Sequence, residues 1–171
     1  GISTDNASNI FVSGATSGNF PASAGAHQTV FGGGIQNDAF LAKLTPAGAL
    51  SWATYLGGNG VDKGNSVQAD NNGDVYLGGE TRSATAISTA GSYQPATSGT
   101  GTDEAFIVKF NAAGTRLWGT YLGGTGRDYI TGLAIGPKSE IVAFGDTYSS
   151  NFPTTPCAFQ TTLLGAEDQF I

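Results

Sequence analysis

Two segments of this chain have the residue types of a cation-binding turn. Gly57-Gly58-Asn59-Gly60-Val61-Asp62 and Gly123-Gly124-Thr125-Gly126-Arg127-Asp128 both read G-G-x-G-x-D. Such a turn offers carbonyls and one carboxylate, hard ligands that suit calcium. Calcium solenoids stack these turns about every nine residues, so that neighbours share the ion. Here they recur once in 66 residues. The simpler reading is a tight crossover in which glycines supply positive φ and the aspartate accepts backbone N–H groups. If a weak calcium site existed, Asp62 and Asp128 would carry it. Asp70-Asn71-Asn72-Gly73-Asp74 resembles half an EF-hand loop, but Gly78 and Gly79 stand where the bidentate glutamate would be needed. Its third counterpart is Gly136-Pro137-Lys138-Ser139-Glu140, whose lysine repels a cation. A hairpin turn accounts for every copy. The expectation is therefore no metal and no cofactor.

Catalytic chemistry finds little material. One histidine, His27, and one cysteine, Cys157, argue against His-based catalysis, multi-cysteine zinc and an internal disulfide framework. Glycosidases need two carboxylates about 5–9.5 Å apart, and no acid pair stands out from the repeat background. We expect no enzyme and no catalytic residue. Seven Lys+Arg in a chain of net charge −6 make no nucleic-acid footprint. No apolar run approaches the length of a membrane-spanning helix. Aromatics at 11% with only 12% charged residues exclude a disordered tail, and 27 glycines in 171 residues are about twice the usual share.

The elements that position these residues repeat. Tyr55-Leu56-Gly57-Gly58 returns as Tyr121-Leu122-Gly123-Gly124, Trp52 as Trp118 and Ala39-Phe40 as Ala105-Phe106, each 66 residues later. Gln28, Gln94 and Gln160 keep that step, as do His27, Tyr93 and Phe159. The chain holds about 2.6 copies. Within a copy, short β-branched and aromatic runs are bounded by Gly, Asn, Asp and Pro. They predict four strands: a (66–69, 131–135), b (10–14, 75–79, 141–145), c (39–44, 105–110) and d (50–56, 116–122). No segment has a capped 3.6-residue apolar period. Tandem four-stranded units predict an all-β propeller of antiparallel blades of about 66 residues, with blade one at 1–64, blade two at 65–129 and a partial third at 130–171.

Four motifs in order carry a family resemblance. They are Asp70-Asn71-Asn72-Gly73-Asp74-Val75-Tyr76-Leu77-Gly78-Gly79, Phe152-Pro153-Thr154-Thr155-Pro156-Cys157-Ala158-Phe159-Gln160, Asp103-Glu104-Ala105-Phe106-Ile107-Val108-Lys109-Phe110 and Tyr121-Leu122-Gly123-Gly124-Thr125-Gly126-Arg127-Asp128. Together they resemble the bacterial SBBP-type β-propeller repeat across the whole chain. The resemblance implies a secreted or surface-exposed bacterial or archaeal propeller inside a longer protein, with no known catalytic residue. The middle copy departs most, with Ile87-Ser88 where Phe20-Pro21 and Phe152-Pro153 stand.

In the repeat register the first residues fall inside strand a and the last inside strand c. We expect a piece of a larger propeller, completed by the rest of the same propeller rather than by association of several copies. Tight a–b and c–d turns share one face of such a disc, and the long b–c loop and the d–a crossover share the other. Because the b–c loop keeps Gln28, Gln94 and Gln160 in register, it is expected to be packed. Lys43 and Lys109 repeat, as do Asp38, Glu104 and Asp168, which suggests one ion pair per blade. The leading expectation for function is a non-enzymatic extracellular scaffold, adhesin or assembly module that meets a protein or glycan at the b–c/d–a loop face. A carbohydrate-binding propeller would use the loop-face aromatics Tyr93, Tyr129, Tyr148 and Phe159. A third reading is a secreted hydrolase whose active site lies outside this segment.

Overall fold

The computed structural model describes residues 1–33 and 36–171. Eleven strands run in chain order: β1 (Ile2–Thr4), β2 (Ile10–Thr16), β3 (Asp38–Leu44), β4 (Leu50–Leu56), β5 (Asp62–Ala69), β6 (Val75–Thr81), β7 (Glu104–Phe110), β8 (Arg116–Leu122), β9 (Asp128–Ile135), β10 (Ile141–Thr147) and β11 (Asp168–Phe170). They form two four-stranded sheets, β1-β2-β3-β4 and β5-β6-β7-β8, and a three-stranded sheet, β9-β10-β11. Every pairing is antiparallel. The all-β blade architecture expected from the repeat is the architecture observed.

Strands b, c and d lie where the sequence places them, but strand a is longer. It starts at Asp62 and Asp128, and strand b reaches Thr81 and Thr147. Both extensions pair with each other, Asp62 opposite Thr81 and Asp128 opposite Thr147. The hand-over between blades therefore falls before Asp62 and Asp128, earlier than the boundaries at 64/65 and 129/130. The extra length went unread because Lys63-Gly64-Asn65 carries no apolar alternation. It is held as strand by the aspartate's own hydrogen bonds, described below.

The sheets pack face to face and make two cores. Phe11, Leu41, Trp52 and Leu56 of the first sheet meet Val67, Val75, Leu77, Phe106, Val108, Phe110 and Tyr121 of the second. The other face of the second sheet presents Tyr76, Ala105 and Ile107 to Ile130 and Leu133 of the third. Strand β6, in the middle sheet, is buried at all seven residues. Its counterpart β10 in the third sheet is mostly half-buried. Repeat position sets the residue type, and the neighbouring blade sets the burial.

The two tryptophans show the same dependence. Trp52 is 8% exposed. Its indole Nε1 donates to the carbonyl of Ala112 at 3.1 Å, and its ring lies edge-on to Phe11 at 6.3 Å. The β7–β8 turn closes over it at Gly114, which has φ +83° and where a Cβ would stand 2.8 Å from the indole. Glycine is required there twice over, for the left-handed backbone and for the close approach. Trp118 has the same neighbours on its own sheet but no such turn above it among the described residues, and it stays half-buried against Tyr76. The two tryptophans, alike in sequence position, are thus unlike in packing.

Trp52→Ala should cost about 3–5 kcal/mol by urea denaturation, as a buried large-to-small substitution does, and Trp118→Ala clearly less. Equal losses would contradict the asymmetric cover.

Candidate functional site at the blade joints

The G-G-x-G-x-D segments form the hinge between one sheet and the next. Asp62 is fully buried. Its carboxylate accepts from the Thr81 hydroxyl, from Ser83 Oγ at 2.8 Å and from the Gly58 N–H at 3.1 Å. Asp128 repeats the set with Thr147 Oγ1 at 2.5 Å, Ser149 Oγ at 2.7 Å and the Gly124 N–H at 2.8 Å. The serine hydroxyls in turn accept the N–H of Gly60 at 3.0 Å and of Gly126 at 2.8 Å. Each crossover is thereby tied to the end of the following strand b.

The aspartate does accept backbone N–H as the turn reading requires. The glycines act differently from the expectation. None of Gly57, Gly58, Gly60, Gly123, Gly124 or Gly126 has positive φ. They are small because the space is taken: a Cβ at Gly57 or Gly123 would run into the aspartate carboxylate, and one at Gly60 or Gly126 into the backbone at Arg82 or Tyr148. The Thr-x-Ser partners, Thr81/Ser83 and Thr147/Ser149, were missed in the sequence although they recur 66 residues apart. The first sheet has Thr16 and Gly18 at this place, and Thr16 Oγ1 turns to the Gly18 carbonyl at 3.1 Å.

A second carboxylate stands beside each hinge. Asp38 and Glu104, the first residues of β3 and β7, are fully buried. They do not pair with the repeated lysines. They accept instead from the repeated glutamines: Gln28 Nε2 to Asp38 at 3.1 Å, Gln94 Nε2 to Glu104 at 2.5 Å and Gln160 Nε2 to Asp168 at 2.7 Å. The same glutamines clip the b–c loop onto strand d. The Gln28 carbonyl accepts the Tyr55 N–H at 3.0 Å and its Oε1 the Gly57 N–H at 3.1 Å. Gln94 does likewise with Tyr121 at 3.1 Å and Gly123 at 3.0 Å. The long loop is packed, and the in-register glutamine is the reason.

Burial pushes the Asp62 carboxyl above its ordinary value; the bonds from Thr81, Ser83 and Gly58 oppose the shift and the Asp38 charge adds to it. Burial also raises Asp38, against bonds from Gly32, Gln28 and Gly33. It raises Glu104 as well, against its bond from Gln94 and with the Asp128 charge adding. Burial, with the nearby Asp62 and Glu104 charges, pushes the Tyr121 phenol up to about 12. The Tyr121 hydroxyl donates to the Ser83 carbonyl at 2.8 Å.

The ion pairs of the repeated lysines lie on the opposite face, with the turns. Lys109 Nζ is 2.8 Å from Asp74, and Lys43 Nζ 3.8 Å from Asp5. Burial would lower the Lys109 ammonium, but its hydrogen bond to Asp74, Tyr76 and their charges outweigh this and push it up to about 12. The EF-hand-like run is a hairpin turn: Asp70 Oδ1 accepts the N–H of Asn72 at 2.9 Å and of Asp74 at 3.0 Å. Among the described residues no group of three or more His, Cys, Asp or Glu could hold a metal.

Of the four candidate aromatics, two come together. Tyr129 and Tyr148 stand 6.4 Å apart at 31°, with the Arg127 guanidinium 5.8 Å from each ring. Arg127 also reaches Asp103 at 2.9 Å, opposite Arg82 at 2.6 Å. The Tyr148 hydroxyl donates to Glu167 at 2.5 Å. Tyr93 and Phe159 do not join them. Their counterpart His27 shows what the position does: its ring packs edge-on against Phe110 of the next sheet at 5.9 Å. Tyr93, 72% exposed, and Phe159, fully exposed, occupy that blade-facing position without a neighbour among the described residues. His27 is an aromatic packing residue, with burial and then the Arg116 charge lowering its imidazole to about 4. Cys157 is an exposed thiol.

Residues 51–84 match the SBBP family model, described as a beta-propeller repeat. The match runs from β4 through the Asp62 hinge to the end of β6, the segment that joins one blade to the next. The match and the repeated four-stranded antiparallel sheets together support an SBBP-type β-propeller repeat. No curated protein matches the chain.

Two predictions follow from the joint. A carboxyl raised by folding binds its proton more tightly in the native state, so its stabilising contribution is full below the ordinary aspartate range and is lost as pH rises through the raised value. Removing the Asp38 charge by Asp38→Asn should therefore favour the variant progressively over the native chain as pH rises above the ordinary aspartate range, read as urea midpoints. A gap between the two that stays constant with pH would contradict the assignment. Separately, Asp62 and Asp128 have three donors each and need no ion. A bound ion would add about 2.7 kcal/mol at a hundredfold excess over Kd, so melting in excess calcium and in chelator should give one midpoint. A drop of several degrees in chelator would restore the cation reading.

Proposed function

We propose that this propeller module is non-enzymatic and works outside the cell as a scaffold, adhesin or assembly component, with the b–c/d–a loop face meeting a protein or glycan. The observation that supports the reading is where the repeated polar residues go. Asp62, Asp128, Gln28 and Gln94 are each taken up by bonds that fasten loops and crossovers to the sheets. A face built this way is rigid and presents a fixed surface, as interaction modules require. Repeat arrays offer such extended surfaces without chemistry of their own.

The Tyr129–Tyr148 pair with Arg127 favours a glycan as the second reading, since neighbouring aromatic rings beside a guanidinium suit sugar faces and their hydroxyls. Two measurements test the proposal. Protease applied to intact producing cells should remove the module, and its protection would overturn the extracellular placement. On a glycan array, binding by the native protein that disappears in Tyr148→Ala, with the melting midpoint unchanged, would select the glycan reading. An array with no binding, alongside adhesion to protein-coated surfaces, would select the protein-meeting scaffold.

A further inference from the structure

The joint between the second and third sheets carries charges that the joint between the first and second is built without. Both joints close with the same backbone bonds. The Asp62 N–H donates to the Asn37 carbonyl at 2.7 Å, and the Asp128 N–H to the Asp103 carbonyl at 2.8 Å. The Val61 and Arg127 carbonyls accept the N–H of Arg82 and of Tyr148, each at 2.8 Å. These bonds use only the main chain, and the side chains on it differ. Where the second joint has Glu80, Arg82, Asp103 and Arg127, the first has Ala15, Ser17, Asn37 and Val61. Uncharged residues suffice to make the joint, so the charges answer to something other than the fold.

The charges are sorted by depth. Arg82 Nε lies 2.6 Å from Asp103 Oδ1, and Arg127 Nε 2.9 Å from Asp103 Oδ2. The Asp103 side chain is 4% exposed, those of Arg82 and Arg127 47% and 53%. Lys63 repeats the arrangement, half-exposed above the buried Glu80 carboxylate at 2.5 Å. Glu80 stands opposite both Lys63 and Ala105, and Ala105 belongs to the core that faces the third sheet. Both sheets of this joint are present, so the exposure of its cations is that of a closed joint. Burial would raise the Asp103 carboxyl, but the bonds and charges of the two arginines hold it below its ordinary value, so it stays ionised. Three of the seven Lys+Arg of the chain stand here, outermost, with the acids beneath them. Arg127 donates to Asp103 only through Nε, and among the described residues its two Nη groups have no acceptor. Those are the donors that a planar anion takes bidentately.

We propose that the row formed by Lys63, Arg82 and Arg127 binds an acidic polysaccharide, whose carboxylate or sulfate groups take the outward guanidinium and ammonium donors. The inference rests on the glycan reading above and adds the charge of the sugar. Arg127 is the link between the two, because its guanidinium is 5.8 Å from the rings of both Tyr129 and Tyr148. A sugar ring lying on the tyrosines has its own acidic substituent, or that of the next sugar along the polymer, within reach of the arginine. Glu167, bonded to the Tyr148 hydroxyl at 2.5 Å, and Asp146, opposite Tyr129, border the row on the third sheet. They are acceptors for sugar hydroxyls, which a purely acidic peptide lacks.

The test is calorimetric titration of the 171-residue chain with an oligogalacturonide, sulfated dextran, neutral dextran and polyglutamate. At least one of the two acidic sugars should bind, more weakly as salt is raised, and neutral dextran should bind about tenfold less tightly or not at all. The preference between the two acidic sugars identifies carboxylate or sulfate as the group recognised. Arg127→Val and Arg82→Ser, which install the residue types of the first joint, should each lower the affinity about tenfold with the melting midpoint unchanged. Neutral dextran binding as tightly as the acidic sugars would overturn this inference and leave the glycan reading standing. No binding of any sugar would overturn both. Polyglutamate binding as tightly as the acidic sugars would overturn the inference in favour of an acidic protein partner. A melting midpoint several degrees lower in either variant would make the cations fasteners of the joint, and would overturn it as well.

Discussion

The structure depends on a buried aspartate placed where the chain passes from one sheet to the next. A repeat array holds together only if each unit is fastened to its neighbour, because no single four-stranded sheet buries both of its faces. Here the fastening is polar. Asp62 and Asp128 gather a backbone N–H from the glycine crossover and two hydroxyls from the end of strand b. A buried carboxylate without such partners would be strongly destabilising. Three donors make the burial tolerable and fix the geometry, so the direction in which the next sheet starts is set within a few residues of the last one's end.

Around that hinge the other repeated residues fall into a chain of dependence. The glycines must be glycines because the aspartate, or the end of strand b that it holds, occupies the space a side chain would need. The second carboxylate lies close by, so that the Asp38 charge raises the proton affinity of Asp62 and the Asp128 charge that of Glu104, and the glutamine of the b–c loop answers Asp38 or Glu104 with Nε2. That glutamine then holds strand d through its Oε1 and carbonyl. One amide side chain therefore connects a loop, the first residue of strand c and the last of strand d. The loop is long in sequence but has little freedom, which is what a rigid interaction face requires.

Much of this was legible in the residues. The 66-residue step, strands b, c and d, the packed loop and the turn character of Asp70-Asn71-Asn72-Gly73 all follow from spacing and turn chemistry. The unread parts have physical causes. Strand a begins at Asp62 because hydrogen bonds from Thr81 and Ser83 hold it, and no hydrophobic alternation announces such a strand. The crossover glycines looked like positive-φ positions, yet their role is close approach, which only the folded neighbours reveal. The aromatics misled for a related reason. His27, Tyr93 and Phe159 share one repeat position, and a sequence cannot say which of them has a blade beside it.

That last point bears on how exposure is read in any tandem fold. An exposed aromatic on a single-core protein invites a ligand. In a repeat array the same exposure has a prior explanation, an interface whose other half is the next unit. The test is internal: if the same position in another copy is covered by a neighbour, the exposed copy is an open joint. His27 and Trp52 are the copies of their repeat positions that a neighbouring sheet covers. Tyr129 and Tyr148 lie within one sheet, on β9 and just after β10, with Arg127 against both rings. The glycan reading proposed above rests on that pair.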